Sequence, residues 1–262
     1  MDKVSAAQQQ FLDRAIRHGR YIRLGRWSIL VLFLALWEGT VRLGWLNDFI
    51  FSSPSRLWST FWTMARDGSI FLHVGITLGE TLVSFVLVTV LSLALALLFW
   101  KCTLAAEILE PYLVMLNSLP KSALAPVLIV WLGGNVRTII VAAVSLVVFG
   151  SILTLLTGFR EVDEDKIKLI RSLGGGSRDV MTKVMIPHSI PLLISTMKVN
   201  IGLCLVGVII GEFLAARAGL GYLIIYGSQV FKMDYVILSI VILCISSACL
   251  YKVIGLLERR FA

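Results

Sequence analysis

Six long apolar runs dominate this chain, at roughly 27–45, 74–100, 104–132, 136–157, 190–214 and 234–255. A hydrocarbon layer about 30 Å thick needs about 20 apolar residues of helix to cross it, and inside it every backbone polar group must be paired within the fold. The runs therefore predict an all-α, polytopic membrane protein with six transmembrane helices. Composition agrees, with 58% of residues hydrophobic and 15% charged, against about 45–50% and about 25% in soluble domains. The residues left over are too few for a separate soluble domain. The reading is an N-terminal amphipathic segment over 1–26 and one membrane domain over 27–262.

The net charge of +8 would suit nucleic acid, but no Lys/Arg stripe with interleaved aromatics is present, so no nucleic-acid partner is expected. Membrane proteins gather excess cations in cytoplasmic loops. With the N-terminus inside, 15 cations fall in inside stretches and five in outside stretches. This bias predicts both termini, and residues 158–190, on the cytoplasmic side. Arg14, Arg17, Arg20, Arg23 and Arg26 precede the first run with no signal-peptide cleavage site. Together with Phe11, Leu12, Ile16 and Ile22 they read either as a helix on the lipid surface or as a positive-inside anchor. The four cysteines form no CxxC and no Cys/His cluster, so neither a disulfide framework nor a metal site is implied.

The third run carries Pro111, Pro120 and Pro126. Proline inside a helix costs about 3 kcal/mol, so these prolines are expected to break the segment. Irregular backbone at membrane depth must line protein or water, and Asn117, Ser118 and Lys121 are the predicted path-lining groups. Ionisable residues inside spans are costly. Glu212, which precedes Gly219 and Gly221, reads either as part of a structural pair within the bundle or as a gate. Ser53-Pro54 predicts a helix start, with Leu57, Trp58, Phe61 and Trp62 bedding that short helix at the outer interface.

Residues 158–190 form a loop with six cations and five acids, too balanced for a lipid-binding polybasic segment. Asp163 is placed to cap a helix, with Glu164 and Asp165 in its first turn. Ile167, Ile170 and Leu173 follow as a stripe, and Gly174-Gly175-Gly176 supplies a C-cap. Ser177 is placed to cap a second helix bearing Val180, Met181, Val184 and Met185, which Pro187 is expected to end. A helical hairpin with apolar faces, held between two spans, is built either to be gripped by another protein or to lie on the bilayer.

This segment resembles the cytoplasmic EAA loop of ABC-importer permeases, in which Glu-Ala-Ala is followed by three residues, Gly, nine residues and Ile-x-Leu-Pro. Here Gly174 is followed by nine residues and then Val184-Met185-Ile186-Pro187, while Lys168-Leu169-Ile170 stands in place of Glu-Ala-Ala. The stretches Leu119 to Pro126, Trp131-Leu132-Gly133, Pro187 to Pro191, Gly211-Glu212-Phe213 and Gly219 to Leu223 resemble the nitrate/sulfonate/taurine branch. The resemblance implies a type I importer permease of a bacterial inner membrane. It assigns ATPase coupling to Glu161, Asp163, Glu164, Lys168, Ile170, Arg171, Leu173, Gly174, Ser177, Val184 and Pro187.

The resemblance further implies a homodimer enclosing the path, two copies of an ABC ATPase subunit that carry ATP and magnesium, and an external substrate-binding protein. The solutes it points to are sulfonates, taurine or nitrate-like anions, with thiamine precursors and riboflavin also found in the branch. This chain has no GxxxxGK[ST] phosphate loop, and its three histidines are scattered. No bound cofactor and no catalytic residue are therefore expected in it. An ATP-independent secondary transporter or channel is the alternative, but it predicts paired broken helices in both halves, and one broken segment is visible.

Overall fold

The computed structural model describes the backbone of residues 6–261 and the side chains of 18, 20–120 and 123–256. The proposed lipid face at Phe11, Leu12 and Ile16, with Arg14 and Arg17, lies outside those side chains. So does Lys121. The described chain is almost wholly helical. In order it runs α1 (Ala6–Arg42), α2 (Asp48–Phe51), α3 (Pro54–Arg66), α4 (Ser69–Lys101), α5 (Thr103–Ser118), α6 (Lys121–Leu132), α7 (Val136–Arg160), α8 (Glu164–Ser172), α9 (Ser177–Val180), a π turn (Met181–Met185), α10 (Ile186–Ala215), α11 (Leu220–Gln229) and α12 (Met233–Phe261). Five helical stretches are long and apolar enough to cross a membrane, and the bent pair α5–α6 makes a sixth.

The break in that pair sits at one proline only. Leu119 is extended at φ −62°, ψ 139°, because the ring of Pro120 bars the residue before it from helical geometry. The chain turns by 102° there. Pro111 and Pro126, expected to break the segment as well, lie inside α5 and α6. Each removes one amide, which neighbouring packing tolerates in a membrane helix.

Helices α4, α7 and α10 form the centre. Val88 and Ala96 of α4, Ala143 and Ile152 of α7, and Cys204 and Val208 of α10 are almost fully buried. Lipid tails are as apolar as leucine, so close packing rather than water exclusion holds such helices together. Glycine makes the approach possible. A Cβ at Gly207 would lie 2.7 Å from Ala143 Cα, and one at Gly211 would lie 3.0 Å from Ile139 Cα. By contrast α1 stands at the margin, with none of its apolar window buried.

At one end of the bundle, Ser53 caps α3 by accepting from the Arg56 amide, with Pro54 in the first turn, as the Ser-Pro pair predicts. Leu57 of α3 is buried while Trp58 and Trp62 remain exposed. The Arg56 guanidinium pairs with Asp48 and with Asp234 of α12, the latter at 2.8 Å. The hydrogen bond that the guanidinium donates to Asp234 holds its pKa above the ordinary arginine value. Ser52 Oγ donates to Asp234 Oδ1 at 2.6 Å, so α2 and α3 are pinned to the start of α12. Glu38 of α1 accepts from the Ser55 amide and hydroxyl at 3.1 and 2.9 Å, tying α1 to the N-terminus of α3.

Candidate functional site

The hairpin lies at the opposite end of the bundle, between α7 and α10. Asp163 caps α8, accepting from the Asp165 amide. The helix ends in a Schellman motif: the Gly175 amide donates to Ile170 O at 2.9 Å and the Gly174 amide to Arg171 O at 3.0 Å. Gly174 takes φ +83°, the left-handed geometry that glycine adopts most readily. Half-buried Ile170 packs over the turn, leaving no room for a Cβ at Gly175. The next helix starts differently from the expectation. Gly176, not Ser177, is the cap, and Asp179 accepts from the Gly176 amide at 3.1 Å.

Pro187 does not end that helix. The chain stays helical from Ser177 to Ala215. A π turn directly before the proline accommodates it, with the Ile186 amide reaching back to Met181 O. A wider turn absorbs the register error that the missing proline amide would otherwise impose. The hairpin is thus continuous with the fifth span.

The apolar faces divide into two. Val180 and Met185 are fully buried, and Met181, Val184 and Ile167 pack with Phe159 and Val162 at the end of α7. That face belongs to the chain's own bundle and holds the hairpin in place. The other face is open. Leu169 is 59% exposed and Leu173 76%, one helical turn apart, with Arg171 exposed beside them. Lys168, which occupies the acidic position of the EAA pattern, is turned back on its own helix, 3.5 Å from Glu164 and 3.2 Å from Asp165. Glu161 closes the end of α7 through its amide, which donates to Thr157 O.

Deeper in the bundle, an open groove of about 450 Å³ runs between α7 and α10. Asn117, Ser151, Thr154, Ser195, Thr196 and Asn200 line it. Asn117 reaches α7 because residue 150 is glycine; a Cβ there would meet its Oδ1 at 3.0 Å. Asn200 Nδ2 donates to Ser151 Oγ at 2.9 Å, which donates to Ser92 Oγ of α4 at 3.0 Å. Of the expected path residues, only Asn117 is in this groove among the described side chains. Ser118 donates to Val114 O within its own helix. The other polar groups escaped the reading of the sequence, although Thr196 and Asn200, four apart in an apolar run, would share one helix face.

Glu212 lies apart from the groove, at the far end of α10, and is 1% exposed. There the chain folds back from Ala216 into α11, whose first residues have free amides and whose cap, Gly219, has no side chain. Side chains of α4 and α10 complete the cap: the Gly219 amide donates to His73 Nδ1 at 2.9 Å, Leu220 to Thr77 Oγ1 at 2.8 Å and Gly221 to Glu212 Oε2 at 2.6 Å. Thr77 Oγ1 donates to Glu212 Oε1 at 2.7 Å. An acid at a helix N-terminus also meets the positive end of its dipole. Buried Glu80 faces the same carboxyl. His73 and Thr77 are partners in this cap that the sequence did not point to, since they come from another span.

A membrane bundle with a polar groove between two core helices, and a rigid hairpin joining those same helices, is the architecture of a transport permease. The chain belongs to the family of binding-protein-dependent transport system inner membrane components, whose family model matches residues 89–262. It is 27% identical over 233 residues to an ABC transporter permease protein of Haemophilus influenzae, covering 89% of this chain and 94% of that protein. To a permease protein of Escherichia coli named for aliphatic sulfonates transport it is 25% identical over 242 residues, covering 91% and 90%. Its fold matches the MetNI methionine ABC transporter in an inward-facing conformation with a TM-score of 0.66, at 18% identity, covering 77% of this chain and 97% of that one.

Proposed function

We propose that this chain is the path-forming subunit of an ATP-driven importer in a bacterial inner membrane, with both termini and the 158–190 hairpin in the cytoplasm. Two copies enclose the path, each hairpin docks on one of two ABC ATPase subunits, and an external binding protein delivers the solute. ATP and magnesium belong to the ATPase. The solute is a small sulfonate, taurine or nitrate-like anion, a reading supported by the sulfonate permease among the relatives.

One observation carries the coupling: Leu169 and Leu173 stand exposed on a hairpin whose other face is locked into the bundle. A rigidly mounted apolar pair is a contact for a protein groove. Glu161, Asp163, Glu164, Arg171 and Ser177 are exposed along the same hairpin and are assigned to the polar part of the contact, while Val184 and Pro187 join it to the span. Lys168, held by Glu164 and Asp165, leaves the pair clear.

The test is co-purification of the chain with candidate ABC ATPase subunits of the same organism, comparing wild type with Leu173→Asp. Position 173 is exposed, so the variant folds. The expected result is an ATPase bound by wild type and lost by the variant. Failure of wild type to retain an ATPase in detergent and in nanodiscs overturns the importer reading in favour of an autonomous transporter.

A further inference from the structure

Glu80 and Glu212 meet without a cation. Both are buried, at 5% and 1% exposure, and their carboxyls hydrogen-bond to each other. An ionised carboxyl only accepts, so a hydrogen bond between two of them requires a proton. The other partners of each acid show which one carries it. Glu212 already accepts from the Thr77 hydroxyl and from the Gly221 and Tyr222 amides, a set of donors that suits a carboxylate. Glu80 has no such set, and its Oε2 has no partner among the described residues. Glu80 is therefore the member that donates. Beside it lies a cavity of about 270 Å³, walled by Ile76 of α4, by Val136 and Ile139 of α7, and by the turn after α10, where Arg217 stands exposed. At roughly 30 Å³ for each water-sized group, it has room for a carboxylate and several waters.

We propose that one proton shared by Glu80 and Glu212 is the catch of a pH-sensitive latch, which closes the fold-back between α10 and α11 while the proton is bound and releases it when the proton leaves. The proton passes to water through the cavity. Two carboxylates left in contact repel each other, so Glu80 turns into the cavity towards Arg217. Glu212 is then held to α4 by Thr77 alone, and the cap on α11 loosens. The latch holds at lower pH and is lost as pH rises through the titration of the pair. Among the described residues no other ionisable side chain interacts with the two acids. From α7 come apolar residues and Asn135, whose side chain is bonded to Leu132 O and to the first amides of α7; from α11 come backbone amides. His73 of α4 accepts from the Gly219 amide on the same cap. A proton on its Nδ1 would end that bond, so His73 acts in the opposite sense and on the acid side. The latch stands apart from the importer reading, since neither the pair nor its test involves an ATPase.

The test uses the full chain in an ester-free maltoside detergent, wild type beside Glu80→Gln. The carboxamide of the variant donates to Glu212 as the protonated acid does, but it has no proton to lose. Infrared spectra at neutral pH should show the carbonyl stretch of a protonated carboxyl in wild type, and the variant should lack it. Amide exchange is then followed across 220–222 from neutral to alkaline buffer, where His73 is uncharged. Relative to the variant, wild type should lose protection roughly tenfold for each pH unit above the titration of the pair, the slope of a one-proton linkage. Buried amides of α7 should keep the same ratio at every pH. A wild-type spectrum without that stretch, a stretch that survives Glu80→Gln, or a protection ratio that stays level with pH each overturns the latch. Should the variant not fold, wild type alone decides: the stretch must vanish over the pH range in which 220–222 lose protection beyond that of α7, and two separate transitions overturn the latch.

Discussion

Glu212 shows how one buried acid can organise a backbone. Its two oxygens accept from Thr77 and from the first turn of α11, and glycine is needed at both contact points. A Cβ at Gly221 would lie 2.8 Å from Glu212 Oε2 and 3.0 Å from Ile209 O, and one at Gly219 would meet the carboxyl at 2.4 Å. Gly219 also takes φ +124°, where alanine is strained. Gly219→Ala is therefore expected to lower the melting temperature by several degrees, at roughly 2–4 °C per kcal/mol in a chain of this size. Gly202→Ala, which meets nothing within 4 Å, should leave it near the wild-type value. Circular dichroism melts of the two variants in one detergent decide the matter. Glu212→Leu leaves the Gly221 amide without a partner and the Thr77 hydroxyl proton without an acceptor, at about 1–3 kcal/mol each, and should melt lower still.

At the level of elements, the sequence was most legible where the signal was local. Asp163 as a cap, Gly174 as a helix stop and Ser53-Pro54 as a helix start all depend on residues within one turn, and all appear as expected. The errors came where a partner lay far along the chain or where two local rules competed. Pro187 reads as a terminator, yet the following span continues the helix and a π turn absorbs the mismatch. Ser177 reads as a cap, yet Gly176 takes the position because Asp179 supplies the acceptor. The groove was half legible for the same reason. Asn117 lies beside the break, whereas Asn200 shows its place only through Ser151 of α7, a partner 49 residues away in the chain. Gly174→Ala tests the turn. Its Cβ has free space but the wrong backbone geometry, so the cost is about 1 kcal/mol. Amide exchange should accelerate across 169–176 while the buried face at Val180 and Met185 stays protected.

For the molecule as a whole, the crossing of α7 and α10 sets the geometry. Gly207 and Gly211, four residues apart, let α10 touch Ala143 and Ile139, which is the small-xxx-small device of membrane helices. Gly207→Leu should force these helices apart. The expected outcome is loss of a monodisperse peak in size-exclusion chromatography, with Gly25→Leu, at a position open on all sides, unaffected. The six apolar runs announced the spans, and α1 is the least apolar of the five long helices, but hydropathy does not distinguish the helices that pack against one another from those that do not. That distinction lies in small residues facing across the crossing, and it becomes visible only when two spans are paired.

The same crossing has a mechanical consequence. The unbroken helix from Ser177 to Ala215 meets α7 in two places: at Gly207 and Gly211 towards its far end, and towards its hairpin end at Leu192, which fills the space that a Cβ on Gly158 of α7 would occupy. Leu192 and Gly207 lie about 22 Å apart at 1.5 Å per residue. A rod seated against its neighbour at two such points does not pivot about either one. Helix α7, the hairpin and α10 therefore shift as one body, and a push on the hairpin is handed to both walls of the groove together.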